Sequence, residues 1–323
     1  MKTKVLICGA TGFIGRNLTE QLSKRPDYEI HAVRYQHAAY DCGNDVIWHQ
    51  ADLRKEDDVD RVIKGMDIVI QTAATLSSAK GLAAKPNLHV TDNTIMNSLL
   101  FRAVYEHKIN HAIFFSHNRL HHSSETPLKE SDFDANKPLA LQHAGLSNTK
   151  IFIEKMCEFY ASISNTKFTT IRLPIVYGPH DKFDPDRSHP FATILTNVMT
   201  AKDRLIFRGT GEEKQDLLYI DDLVHFIEAA IAKQPVKHRV YHCSHSEAIS
   251  TIDLTHKIIQ HTGKALTIEH DLSEPTTSST ISLDCSLAEN ELGWKAAIDI
   301  NTGIRKTIGW WRENVRLKVA EPA

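Results

Sequence analysis

Lys4-Val5-Leu6-Ile7-Cys8, running directly into Gly9-Ala10-Thr11-Gly12-Phe13-Ile14-Gly15, is the stretch that decides the fold. It writes an apolar strand, a glycine turn and a helix start within the first fifteen residues. Gly9 permits the tight turn, Gly12 lets backbone approach a pyrophosphate with no side chain between, and Gly15 lets the helix pack close to the strand. The unpaired N–H groups and the positive end of that helix then face the phosphates. Glycines at 9, 12 and 15 make G-x-x-G-x-x-G rather than the G-x-G-x-x-G of many dehydrogenases. The strand before and the helix after give the triplet its meaning. The reading is a dinucleotide site with Gly9, Thr11, Gly12, Phe13, Ile14 and Gly15 around the cofactor.

Outward from this loop, strands and helices alternate. Tyr28 to Val33 reads as a second strand, Val46 to Gln50 as a third, and Asp57 to Lys64 as a short helix. Met66 to Gln71 reads as a buried strand, Asn93 to Glu106 as a helix, His111 to Ser116 as a strand, Ser147 to Ser162 as a helix and Phe168 to Leu173 as a strand. This serial pattern predicts an α/β fold: a Rossmann-type, doubly wound parallel sheet covered on both faces. The nucleotide domain is expected over 1–175, with 216–242 returning to it. From about Gly178 the rhythm breaks into Pro-, Asp- and Gly-rich loops, so 176–215 and 243–323 are expected to form a smaller substrate lobe over the carboxyl ends of the strands.

With 323 residues the chain has ample length for a sizeable core. Lys and Arg total 38 against 40 Asp and Glu, so no overall field recruits nucleic acid or an anionic membrane. No apolar run approaches membrane-span length, and no signal peptide is read. The nineteen histidines are scattered without metal-ligand spacing, and no metal site is expected. Five dispersed cysteines point to a reducing, cytoplasmic setting. Arg34 follows the second strand where NAD-specific folds carry an acid for the ribose 2′-hydroxyl; arginine there suits a 2′-phosphate, favouring NADP with NAD as the alternative.

Arg172-Leu173-Pro174-Ile175-Val176-Tyr177-Gly178-Pro179-His180-Asp181-Lys182-Phe183-Asp184-Pro185-Asp186-Arg187-Ser188-His189 resembles a segment of the extended short-chain dehydrogenase/reductases, and within them most closely the GDP-L-fucose synthases. Those are NADPH-dependent epimerase-reductases of a 4-keto nucleotide sugar. Gly209-Thr210-Gly211, Tyr219-Ile220-Asp221-Asp222-Leu223 and Leu292-Gly293-Trp294 are placed similarly, so the resemblance runs along nearly the whole chain. It implies a nucleotide-sugar substrate, a catalytic Ser116, and Lys150 as both catalytic and ribose-anchoring. It also implies His189 as a general acid/base and substrate contact, thirty-nine residues after Lys150. Asp52 and Leu53 fall on the adenine pair, Ala73 on the cofactor-flanking loop, and Pro174 on a cofactor contact. Asn197, Lys214 and Gln215 fall on substrate positions. The helices at 93–106 and 147–162 carry apolar stripes through Ile95, Leu99, Leu100 and Ile153, Met156, Cys157, read as mostly core; in the family the corresponding pair builds a homodimer interface.

The sequence also departs from the family. Its tyrosine, four residues before the lysine, is Leu146, which has no proton to give. Its diphosphate arginine is Gln215, with Lys214 alongside; its cysteine partner of the histidine is Asn118; a later arginine is Asn197. Two readings stand. One is an NAD(P)-dependent nucleotide-sugar epimerase/reductase in which water or a nearby histidine, among His117, His121, His122 and His143, replaces the tyrosine. The other is a catalytically silent, cofactor-binding relative that serves as a partner subunit.

Overall fold

The computed structural model describes residues 2–75, 86–139, 144–184, 189–273 and 279–315. Thirteen strands and nine helices are formed within them. In chain order the first half runs β1 (Thr3–Cys8), α1 (Phe13–Leu22), β2 (Tyr28–Arg34), β3 (Val46–Gln50), α2 (Glu56–Ile63), β4 (Ile68–Gln71), α3 (Pro86–Glu106), β5 (His111–His117), α4 (Ala144–Ile163) and β6 (Lys167–Leu173). The second half runs β7 (Ile175–Tyr177), α5 (Pro190–Thr200), β8 (Arg204–Arg208), β9 (Lys214–Tyr219), α6 (Ile220–Lys233) and β10 (His238–His242). It closes with β11 (Ala248–Ser250), α7 (Thr251–Thr262), β12 (Thr267–Asp271), β13 (Thr280–Ile281), α8 (Ser286–Leu292) and α9 (Ile300–Asn314).

Seven strands pair in the order β10-β6-β5-β4-β1-β2-β3, every pairing parallel. The chain walks from β1 to β3 on one side and restarts with β4 against the other side of β1. That reversal opens the crevice in which open α/β sheets bind ligands. Val5, Leu6, Ile7 and Cys8 are all fully buried, as a strand covered on both faces must be. Period-two alternation sorts them: Val5 and Ile7 join the core beneath α1 and α6, while Leu6 and Cys8 join the core beneath α2, α3 and α4. In the second core Phe101 stands edge-on to Phe114 and Phe168, with centroids 5.9 and 5.7 Å away.

One buried ion pair ties α4 to the sheet. Arg172 on β6 grips Glu154 with a two-pronged contact, Nη2 to Oε2 at 2.8 Å and Nε to Oε1 at 3.2 Å, and Phe133 lies 4.4 Å from the guanidinium. Removing one partner of such a pair generally costs about 3–5 kcal/mol because the other charge stays buried. Glu154 is one helical turn beyond Lys150, so the same contact fixes the height of Lys150 against β5.

Several expectations are corrected. The helix expected from Asn93 begins at Pro86, a residue well suited to a first turn. Within that helix the Asn93 amide reaches back to His89 O and across to Thr75 O. The helix expected from Ser147 begins at Ala144. The return to the large sheet expected at 216–242 starts later: β9 belongs to a second sheet with β7, β11 and β13, and only α6 and β10 rejoin the first. The region after Gly178, expected as loops with short helices, holds α5, α7 and α9, of 11, 12 and 15 residues.

Candidate active site

The glycine loop is built by steric exclusion. Gly9 has φ +75°, and a Cβ there would lie 2.7 Å from Ala73 Cα, so the loops after β1 and β4 touch at the crevice. A Cβ at Gly15 would lie 2.2 Å from Gly9 O. Gly12 differs: its backbone is extended, it caps α1 without any side chain, and a Cβ there would meet nothing nearer than Gly9 O at 3.3 Å. A bare backbone at Gly12, where even a Cβ would press on Gly9 O, and an uncapped helix start are what a pyrophosphate needs, so these residues fit the dinucleotide that the motif implies. Thr11 and Ile14 are half-buried and Phe13 is buried beside them.

Arg34 ends β2, its guanidinium 3.1 Å from Gln50 Oε1 and 3.4 Å from His37 O. Leu53 is buried, while Asp52 is held by Arg54, Nε to Oδ1 at 2.9 Å and Nη2 to Oδ2 at 3.0 Å. Arg54 also donates to Asp92 on α3 and to the Tyr35 hydroxyl, knitting together the loops after β2 and β3 and the start of α3. The paired guanidinium holds the Asp52 carboxyl below its ordinary value. Sequence reasoning missed Arg54 because its partners come from three separate segments.

Lys150 and Ser116 meet where β5 ends. Lys150 Nζ donates to Phe115 O at 2.7 Å and lies 4.6 Å from the centre of the Phe114 ring. Burial pulls its ammonium down to about 8, partly opposed by the Glu154 charge. Ser116 Oγ is buried with no hydrogen-bond partner among the described residues. Leu146 is half-buried in the first turn of α4, one turn before Lys150. Pro174 is buried between β6 and β7.

His189 caps α5 and is oriented by a carboxylate. Its Nδ1 lies 2.8 Å from Oδ1 of Asp181, whose side chain is fully buried, and its ring centroid is 6.3 Å from that of Phe13. Asp181 Oδ1 also accepts from Lys182 N, while Oδ2 is buried with no hydrogen-bond partner among the described residues. The Phe13 contact sets this dyad beside the glycine loop. Asp181 was present in the quoted segment, eight residues before His189, but no periodicity says that the loop between folds back on itself.

Of the histidines weighed as proton donors, His121 is buried against His242, Nε2 to Nε2 at 3.1 Å, and burial pulls it down to about 4, far from a neutral-pH acid. His122 is exposed, His117 half-buried, and His143 lies outside the described residues. Asn118 is buried in the turn after β5.

A cavity of about 850 Å³ opens between β8, β9 and the helices α5 and α7, with Pro190, Ile194, Asn197, Arg204 and Gln215 in its walls. Asn197 and Gln215 thus share one cavity, and Pro190 links it to His189. Lys214 is exposed on β9. Arg119, in the turn Asn118–Leu120, reaches Gln215 Oε1 at 3.5 Å.

The family profile of the NAD dependent epimerase/dehydratase family matches residues 5–243. The chain is similar to a GDP-mannose 3,5-epimerase of Oryza sativa subsp. japonica, 24% identical over 97% of this chain and 83% of that protein. It is similar also to the GDP-L-fucose synthase of Escherichia coli, 23% identical over 97% of this chain and 98% of that one. Among solved structures, the UDP-glucose 4-epimerase of Thermotoga maritima superposes with a TM-score of 0.84 at 20% identity, covering 97% and 100% of the two chains. The Rossmann-type fold is common to both. A profile match across most of the chain makes this protein a member of the NAD dependent epimerase/dehydratase family of enzymes.

Proposed function

We propose that the chain is an NADP-dependent epimerase or reductase of a keto nucleotide sugar in which His189, steered by Asp181, moves a proton. The observation that carries this reading is the 2.8 Å contact from His189 Nδ1 to a fully buried carboxylate, beside Phe13 of the cofactor loop. A carboxylate accepting from Nδ1 fixes the ring's orientation and leaves Nε2 as the nitrogen that can take a proton. The acidic position in a keto sugar is the carbon beside the ketone. Asn118 has no proton-transfer chemistry, so His189 is the side-chain base for that carbon.

Gly12 and the first turn of α1 bind the pyrophosphate, and Lys150 holds the ribose. When bound, NAD(P) supplies the two-electron redox chemistry. Ser116 Oγ and Lys150 Nζ are the donors for the substrate's oxygen, since Leu146 supplies none. Arg34, with its guanidinium on neutral oxygens at the end of β2, supports NADP over NAD. The cavity holding Asn197 and Gln215 supports a nucleotide-sugar substrate, as do the activities named for the relatives. Five free thiols support a cytoplasmic setting, and no helix among the described residues is long and apolar enough to cross a membrane. A homodimer through α3 and α4 is the proposed assembly.

Leu146 favours a second reading, a cofactor-binding subunit without turnover. Incubating the protein with 4-keto nucleotide sugars in deuterated water separates the two. Deuterium should enter beside the ketone, and His189→Asn should slow entry about 10²–10⁴-fold, the usual worth of general acid–base help. Entry at the parental rate in His189→Asn overturns the base assignment. No entry with any keto sugar, together with NADPH-dependent thermal stabilisation, supports the silent subunit.

A further inference from the structure

We infer that His180 is a positioning residue: held by Glu20 of α1, it sets the Asp181–His189 dyad against the helix that binds the cofactor. The inference deepens the proposed function and rests on its assignment of His189 as the base. It starts from backbone strain. His180 has φ +65°, in the left-handed region that residues with a side chain rarely adopt, and it directly precedes Asp181. A histidine stays in that conformation only where its surroundings hold it there.

The surroundings do so from two sides. His180 Nε2 lies 3.0 Å from Oε2 of Glu20, and Glu20 Oε1 accepts from Arg16 Nε at 2.8 Å, so the carboxylate is itself fixed along α1. On the other side the ring meets Trp310 of α9 edge to face, with centroids 5.0 Å apart. Phe183 packs on the same Trp310 ring at 5.6 Å, which brackets Asp181 between two anchored side chains. The residue before His180 is held as well: Asn17, buried on α1, donates from Nδ2 to Pro179 O at 2.9 Å.

Asn17 and Glu20 are three residues apart, so Pro179 and His180 are seated on one face of a single helix. That helix begins with Phe13, straight after Gly12, and the Phe13 ring lies 6.3 Å from that of His189. The base and the cofactor loop therefore share one rigid support. The Glu20–His180 contact fixes the direction in which the chain leaves that support, and with it the direction from which Asp181 reaches His189 Nδ1.

Nitrogen-15 NMR of the full chain labelled at histidine, with the His189 signals identified by their loss in His189→Asn, tests the inference in the parent, Glu20→Ala and His180→Asn. Asparagine tolerates the left-handed conformation but is too short to reach Glu20, so it removes the contact and leaves the turn. In the parent the carboxylate should keep the neutral His189 ring protonated at Nδ1. In both variants the ring should relax to a mixture of its two tautomers, while the thermal midpoint stays close to the parent's. Deuterium entry beside the ketone should slow about 10–100-fold at saturating sugar, the scale of a small misplacement of a reacting group, with KM and NADPH affinity unchanged. Glu20→Gln, which still offers an oxygen to Nε2–H, should recover part of both signals; if one of the other two variants fails to fold, its companion decides. Retention of the Nδ1 proton in both variants, or the parental entry rate in both, overturns the inference and leaves His189 as the base. A parent that passes no deuterium into any keto sugar sinks the functional reading, and the tautomer of His189 in the two variants then decides alone whether His180 positions the dyad.

Discussion

Gly12 is the residue at which cofactor binding and folding can be pulled apart. A Cβ there would sit 3.3 Å from Gly9 O, tight but far looser than the clash at Gly15, and the backbone conformation suits any residue. Gly12→Val should therefore abolish NADPH binding by calorimetry while lowering the thermal midpoint only slightly. Gly15→Ala forces its methyl against Gly9 O and should lower that midpoint. Equal NADPH affinity in Gly12→Val and the parent would refute the assignment. These glycines were legible in the sequence because their roles are local, set by a turn and a helix start six residues apart. Leu146 was legible as a departure only through the family resemblance, which places a tyrosine four residues before Lys150. Asp181 and Arg54 were not, since Asp181 meets His189 only through a loop that folds back without any period, and Arg54 gathers Asp92 and Tyr35 from separate segments.

Helices α3 and α4 show where reading by element succeeds and where it stops. Their stripes predicted a core, and Leu100, Ile153 and Cys157 are indeed fully buried. Ile95, in the same stripe, is 41% exposed, and Phe152 and Phe159 are 50% and 56% exposed on the outside of α4. Periodicity finds an apolar face but cannot say whether a sheet or another molecule covers it. A second copy of this chain is the proposed cover. Sedimentation at micromolar concentration should give the mass of a dimer, and Phe159→Glu, which places a charge in that face, should give a monomer. A parent that sediments as a monomer at those concentrations rules the face out as a dimer interface.

For the whole molecule, the alternation of strands and helices made the large sheet legible, because each parallel crossover needs its own helix. The second lobe was not, since β7, β11 and β13 have only two or three residues each and carry no period of their own. Buried histidines are spread through the structure and set its response to acid. Burial pulls His111 and His121 from an ordinary 6.5 to about 4 and His242 well below 6.5. Between about 6.5 and 4 the unfolded chain binds protons that the folded one refuses, so stability falls as pH falls through that window. Burial also lowers His49 and His238, while Asp216 and Glu130, raised by burial, run the other way, two groups against five histidines. The urea midpoint should drop between pH 7 and pH 5, less steeply in His111→Gln; a level midpoint would contradict this. The placement of β10 governs how the molecule assembles. This edge strand pairs with β6 along His238–His242, yet it is made only after β7, β8 and β9 have been threaded through the other lobe. Until then β6 presents an open edge, so a nascent chain that stops short of β10 carries an unpaired strand of buried-type side chains. Completion of the large sheet consequently waits on the stretch of chain that builds part of the second sheet.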